Sequence, residues 1–167
     1  SSVNEGKAQL WTSYRIHSDG LSRIYVQNKA LTPCQAGRLI RRLLEIETYR
    51  MMVLMTFPLA KRISPEIRAM EKDLATVIQQ ITDIEGLEDE RRLLAELSSF
   101  AARVEQIITD TNFRFSASEA YFALINSRLE ELHEESVNGL QTVGEFLSRR
   151  LMPAYRTMET IRESMGE

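Results

Sequence analysis

The stretch that decides the fold is residues 94–132, LAELSSFAARVEQIITDTNFRFSASEAYFALINSRLEEL, thirty-nine residues without a glycine or a proline. Leu97, Ala101, Val104, Ile108, Thr111, Phe115, Ser118, Phe122, Ile125 and Leu129 recur at alternating spacings of four and three. That spacing keeps one stripe on one face of an α-helix, the pattern of a coiled-coil seam. A helix from about Glu88 to Glu134 would run about 70 Å at 1.5 Å per residue, far beyond the three or four turns of an ordinary globular helix. The expectation is an elongated, coiled-coil-like rod.

Working outward, the same spacing recurs on both sides. Upstream, Ile67, Met70, Leu74, Val77, Ile81 and Ile84 form a stripe after Ser64-Pro65-Glu66, a cap-plus-proline start signal, and this helix is expected to end near Gly86. Before it, Thr32-Pro33-Cys34-Gln35 combines a Thr N-cap, a proline at the first helical position and a Gln to close a capping box. The helix it opens is expected to reach about Phe57, where Pro58 ends or kinks it. Downstream, Asn138-Gly139 marks the turn into a fourth helix with the stripe Leu140, Gly144, Leu147, Leu151, Ala154, Met158, Ile161 and Met165, kinked at Pro153.

The first thirty residues read differently. Leu10, Thr12, Tyr14 and Ile16 alternate with Trp11, Ser13, Arg15 and His17, Ser18-Asp19-Gly20 supplies a tight turn, and Ile24 and Val26 share a face of the returning strand. A two-stranded hairpin is marginal in water, so it is expected to pack on a helix or to be the remnant of a truncated N-terminal domain. The fold class is therefore mainly α: an elongated antiparallel helical bundle or coiled-coil rod with a short N-terminal β-hairpin. The organisation expected is a hairpin over 1–31 and a four-helix module over 32–167.

Composition narrows the function classes. Seven Gly and four Pro in 167 residues are about half the usual share and nearly exclude a sandwich or barrel. A formal net charge of −3 lacks the basic excess of a nucleic-acid surface. One cysteine, Cys34, permits no internal disulfide and, with two histidines, no structural zinc pattern, so a reducing compartment fits. Met51 to Ala60, a ten-residue uncharged run between Arg50 and Lys61, is about half the length a membrane span needs. The N-terminus has neither the apolar run of a secretion signal nor the Arg-rich pattern of a transit peptide, and reads as an artificial boundary.

Several places are candidates for chemistry, each beside a plainer reading. Glu47 and Arg50 lie on the stripe Ile40, Leu43, Glu47, Arg50, Leu54, Phe57, so two opposite charges face one packed side. With Glu45, Tyr49, Arg114, Tyr121 and Glu145 they make a candidate polar cluster, the plainer reading being a salt bridge that sets helix register. Thr111 and Ser118 are polar stripe positions that suit either a small polar cavity or a tight helix crossing with back-bonded hydroxyls. Glu130-Glu131-Leu132-His133 contains one Glu-x-x-His, where a di-iron bundle needs two, so a solvated helix end is the plainer reading. The basic doublets Arg41-Arg42, Lys61-Arg62, Arg91-Arg92 and Arg149-Arg150 suit anionic headgroups or simply solvated faces, with Arg41 near Glu45 and Arg149 near Glu145. No phosphate loop, nucleophile elbow or His-Glu-x-x-His occurs, so no catalytic residue, cofactor or metal is assigned.

Arg15-Ile16-His17-Ser18-Asp19-Gly20-Leu21-Ser22-Arg23, Leu31-Thr32-Pro33 with Ala36-Gly37-Arg38-Leu39, and the block from Leu44 to Met51 resemble a bacterial family of uncharacterised membrane-anchored proteins, domain-of-unknown-function family 3422. Arg114-Phe115, Ala120-Tyr121, the run from Leu140 to Phe146 and Arg149-Arg150-Leu151-Met152-Pro153-Ala154 share the resemblance. It implies an internal piece of a longer protein whose membrane helices lie elsewhere, and it brings no activity or catalytic residue. The leading expectation is a non-enzymatic helical interaction or scaffold module at the cytoplasmic face of the inner membrane. It is expected to self-associate through its helices, to reach the membrane through segments outside this chain, and not to bind nucleic acid. The alternative is a soluble regulatory domain of a two-span ion-transporter-like protein, an analogy of layout, with Glu45 and Glu47 sensing cations.

Overall fold

A computed structural model describes residues 1–80 and 86–166. Among these residues the chain is mainly α, with three strands, β1 (Ser2–Val3), β2 (Ala8–Thr12) and β3 (Ile24–Asn28), followed by three helices, α1 (Pro33–Gln80), α2 (Leu87–Glu130) and α3 (Val143–Gly166). It divides into two compact units: residues 1–54 with 119–154, and residues 55–118 with 155–167.

In the first unit the strands form an antiparallel sheet of order β1-β2-β3, with Leu10 opposite Val26 and Trp11 opposite Tyr25. Alternation sends Ala8 and Leu10 inward and leaves Trp11 and Tyr25 exposed. The expected turn is present: the Gly20 N–H donates to the His17 carbonyl at 2.9 Å with Gly20 at φ 79°. The strands are shorter than the alternation predicts. Tyr14 takes φ 49°, which breaks the extended run, and Ile16 and Leu21 are exposed.

Helix α1 opens with the predicted capping box: the Thr32 N–H donates to Gln35 Oε1 at 2.9 Å, and the Gln35 N–H donates to Thr32 Oγ1 at 3.4 Å. It does not end at Phe57. One helix runs through both Pro58 and Pro65, so three helices replace the four expected. Each proline removes an N–H and crowds the carbonyl four residues back, at about 3 kcal/mol. The opposing term is burial: Leu59, Ala60, Ile63, Ile67 and Met70 are all in the core. The inner face of α1 is also turned by one position from the expected stripe: Leu39, Leu43, Ile46, Arg50 and Val53 are buried, whereas Ile40 is exposed.

Helix α2 carries the deciding stretch, with Thr111, Phe115, Ser118 and Ile125 buried and Leu94 exposed near its start. The two polar stripe positions are both satisfied. The Thr111 hydroxyl donates to the Ile107 carbonyl at 2.7 Å, and the Ser118 hydroxyl donates to Thr56 Oγ1 at 2.7 Å, a hydroxyl contact between α2 and α1 inside the second unit.

Asn138 (φ 51°) and Gly139 (φ 70°) form a tight turn closed by the Leu140 N–H on the Val137 carbonyl. Helix α3 then starts at Val143 and continues through Pro153, burying Leu147, Leu151, Ala154, Met158 and Ile161. Ile81, Ile84 and the end expected near Gly86 involve positions outside the described residues, as does the side chain of Met165.

Candidate functional site

The residues of the expected polar cluster go to different places. Glu47 and Arg50 do meet, one turn apart on α1: Arg50 Nε donates to Glu47 Oε2 at 2.8 Å and Arg50 Nη2 donates to Oε1 at 2.6 Å. Arg50 is only 9% exposed. The Ser22 hydroxyl adds a bond to Glu47 Oε1 at 3.3 Å. Tyr49 stacks on Tyr121 with ring centroids 5.5 Å apart. Glu45 belongs to another network, Arg114 is exposed in the second unit, and Glu145 caps α3.

That cap is a second capping box: the Thr142 N–H donates to Glu145 Oε2 at 2.9 Å and the Glu145 N–H to Thr142 Oγ1 at 3.1 Å. The neighbouring orphan donors of α3 go to Glu134, which accepts the Val143 N–H at 3.2 Å and the Gly144 N–H at 2.8 Å. A β-carbon at residue 144 would stand 3.3 Å from Glu134 Oε2, so glycine there lets the carboxylate approach. Glu145 is thus committed to the helix start instead of pairing with Arg149.

Glu45 sits in a chain of alternating charges, Arg41–Glu45–Arg128–Glu131–Arg42, joining α1 to the end of α2. Hydrogen bonds from Arg41 and then Arg128 hold the Glu45 carboxyl below its usual value, and those from Arg42 and Arg128 do the same for Glu131. Glu45 and Glu131 in turn raise the Arg128 guanidinium. His133 is exposed, with φ 46°, where α2 stops; no group of three or more His, Cys, Asp or Glu able to hold a metal exists among the described residues. Of the basic doublets, Arg41-Arg42 lies in this network and Arg91-Arg92 pairs with Glu88 and Asp89. Lys61 sits 4.8 Å from the Phe57 ring centroid.

The arrangement that sequence reasoning missed centres on Tyr14. The Arg50 guanidinium lies 5.0 Å from the Tyr14 ring centroid, Tyr14 stacks on Phe146 at 5.6 Å and 15°, and Arg150 lies 5.4 Å from the Phe146 ring. Cation–π and stacking contacts thus run in series from α1 through the β2–β3 connection to α3. The strand-like alternation around Tyr14 hides this, because its left-handed φ redirects the side chain; Phe146 lies off the α3 stripe. Beside these rings opens a cleft of about 470 Å³.

Burial pushes the Tyr14 phenol well above its usual value near 10, the Glu47 and Glu134 carboxylates add to the rise, and Arg50 opposes it. In the unfolded chain the phenol ionises near pH 10. The contribution of Tyr14 to stability is therefore intact below that pH and is lost as the pH rises above it, by about 1.4 kcal/mol per pH unit. Urea denaturation at about pH 9.5 and pH 11 should show a larger loss in the wild type than in Tyr14→Phe. Equal losses would remove Tyr14 as the cause.

With this geometry in place, comparison with known families is decisive at one point: the model described as "Protein of unknown function (DUF3422)" matches residues 1–167. The chain belongs to the DUF3422 family. No curated protein and no solved structure matches it. The resemblance carried by the blocks around Arg15, Glu45 and Gly144 is thus the correct family, and the DUF3422 model extends over the sheet and all three helices.

Proposed function

We propose that this DUF3422 chain is a non-enzymatic helical interaction module that associates with a second copy of itself, as the cytoplasmic part of a bacterial membrane-anchored protein at the inner membrane. The observation that carries the reading is the outward side of α1. Ile40, Leu44, Thr48 and Met51 recur at spacings of four, four and three, away from the buried Leu39, Leu43, Ile46 and Val53, and all four are exposed, as is Met52. A mainly apolar stripe of this kind, whose one polar member Thr48 turns its hydroxyl back to the Leu44 carbonyl, marks an interaction surface in water, and its spacing suits the same stripe on another helix.

The polar groups support the same reading by their employment. Glu45 and Glu131 are held by arginines, Glu134 and Glu145 satisfy a helix start, and Glu47 is engaged by Arg50. Cation sensing by Glu45 and Glu47 would compete with those guanidinium groups and draws no support from their geometry. No helix of the described residues is long and apolar enough to cross a membrane, so membrane attachment in this proposal rests on segments outside the chain.

Light scattering across a concentration series tests it. The expected result is a dimer or larger assembly, which Leu44→Glu converts to monomer with unchanged circular dichroism, since Leu44 is 59% exposed and its replacement leaves the core intact. A monomer at all concentrations would overturn the proposal.

A further inference from the structure

We propose that the cleft between the β2–β3 connection, α1 and α3 binds a small anionic amphiphile, a phosphate- or carboxylate-headed molecule with a short apolar tail. The inference is independent of self-association through α1. The cleft measures about 470 Å³, within the range of small-molecule sites. Its two kinds of lining point to the two halves of such a ligand.

Three arginines line it, Arg15, Arg50 and Arg150. Arg50 is already neutralised by its two bonds to Glu47. Arg15 and Arg150 have no carboxylate partner among the described residues, and the carboxylate of Glu145, one turn before Arg149, is bound to the Thr142 N–H. Two uncompensated positive charges therefore border one concavity. Guanidinium forks match the oxygens of a phosphate or carboxylate.

Most of the remaining lining is apolar, with Leu54, Leu147, Leu151 and Phe146 beside Tyr14 and the polar Ser13. An inorganic anion would leave that floor wet, and a neutral apolar molecule would leave the guanidinium groups unanswered. An anionic head with a tail satisfies both. The wall is also pre-shaped. Tyr14 is held at φ 49°, an uncommon conformation for a residue with a side chain, and its ring is held by Arg50 and Phe146. Arg150 rests on Phe146 on the cleft side of the helix. Ordering these groups in advance reduces the entropy lost on binding.

Octyl phosphate, kept monomeric, is the probe, titrated by calorimetry and followed by phosphorus NMR. Saturable binding at one site is expected, weaker by about tenfold or more in Arg15→Ala and in Arg150→Ala. Arg149→Ala, beside the lining but not part of it, should bind like the wild type. All three side chains are exposed, so circular dichroism should be unchanged. Inorganic phosphate and octyl glucoside, each carrying half of the recognised chemistry, should bind at least about tenfold more weakly than octyl phosphate. Octanoate in place of octyl phosphate shows which anionic head is preferred, and saturable binding of either supports the site. Inorganic phosphate binding as tightly as octyl phosphate, equal binding by both arginine variants, or binding only to phosphatidylglycerol vesicles would each overturn the proposal.

Discussion

Replacing Leu132 by Ala is expected to lower the unfolding free energy by about 3 kcal/mol. Leu132 is fully buried where α2 gives way to the loop before α3, and its carbonyl accepts the Asn4 N–H at 2.9 Å. The Ser2 and Glu135 backbones exchange two further bonds there, so β1 and this loop form a continuous backbone ladder and the vacated volume has little freedom to collapse. Leu140, in the same connection but 59% exposed, is the control, and Leu140→Ala should change stability by less than about 0.5 kcal/mol. Urea denaturation followed by Trp11, the single tryptophan and a member of the same compact unit, measures both. Equal effects at the two positions would contradict the placement of Leu132 in the core.

Truncating Glu47 to Ala should cost about 2–3 kcal/mol, somewhat less than for a fully buried pair because the Glu47 side chain retains 19% exposure. The loss comes mainly from what remains: Arg50, 9% exposed, keeps its charge and loses both carboxylate bonds. Replacing both partners by apolar residues of similar volume, Glu47→Leu with Arg50→Met, removes the orphan along with the pair and should restore stability to within about 1 kcal/mol of the wild type. A double variant as unstable as Glu47→Ala would show that the ion pair itself, and not the stranded guanidinium, carries the effect.

Some of this architecture is written locally. The scarcity of Gly and Pro and the unbroken spacing from Leu97 to Leu129 specify helix, because they act through neighbours three and four residues apart. The Thr32–Gln35 capping box, the Gly20 turn and the Arg41–Glu45 pair are as local and were legible for the same reason. The Glu47–Arg50 pair belongs with them, since both partners sit on one turn of one helix.

The tertiary structure decided the rest. By local rules Pro58 ends a helix and Ser64-Pro65-Glu66 opens a new one, yet burial of Leu59, Ala60, Ile63 and Ile67 around them keeps α1 whole. Of the expected cluster, Glu45, Arg114 and Glu145 went elsewhere and Tyr49 stacks on Tyr121, while Tyr14, Phe146 and Arg150 continue the contacts from Arg50. A heptad stripe says which side of a helix turns inward and leaves open which other helix, strand or copy it meets. Contacts between residues more than a hundred positions apart, such as Tyr14 with Phe146, depend on that pairing and on a left-handed φ that no alternation pattern reveals.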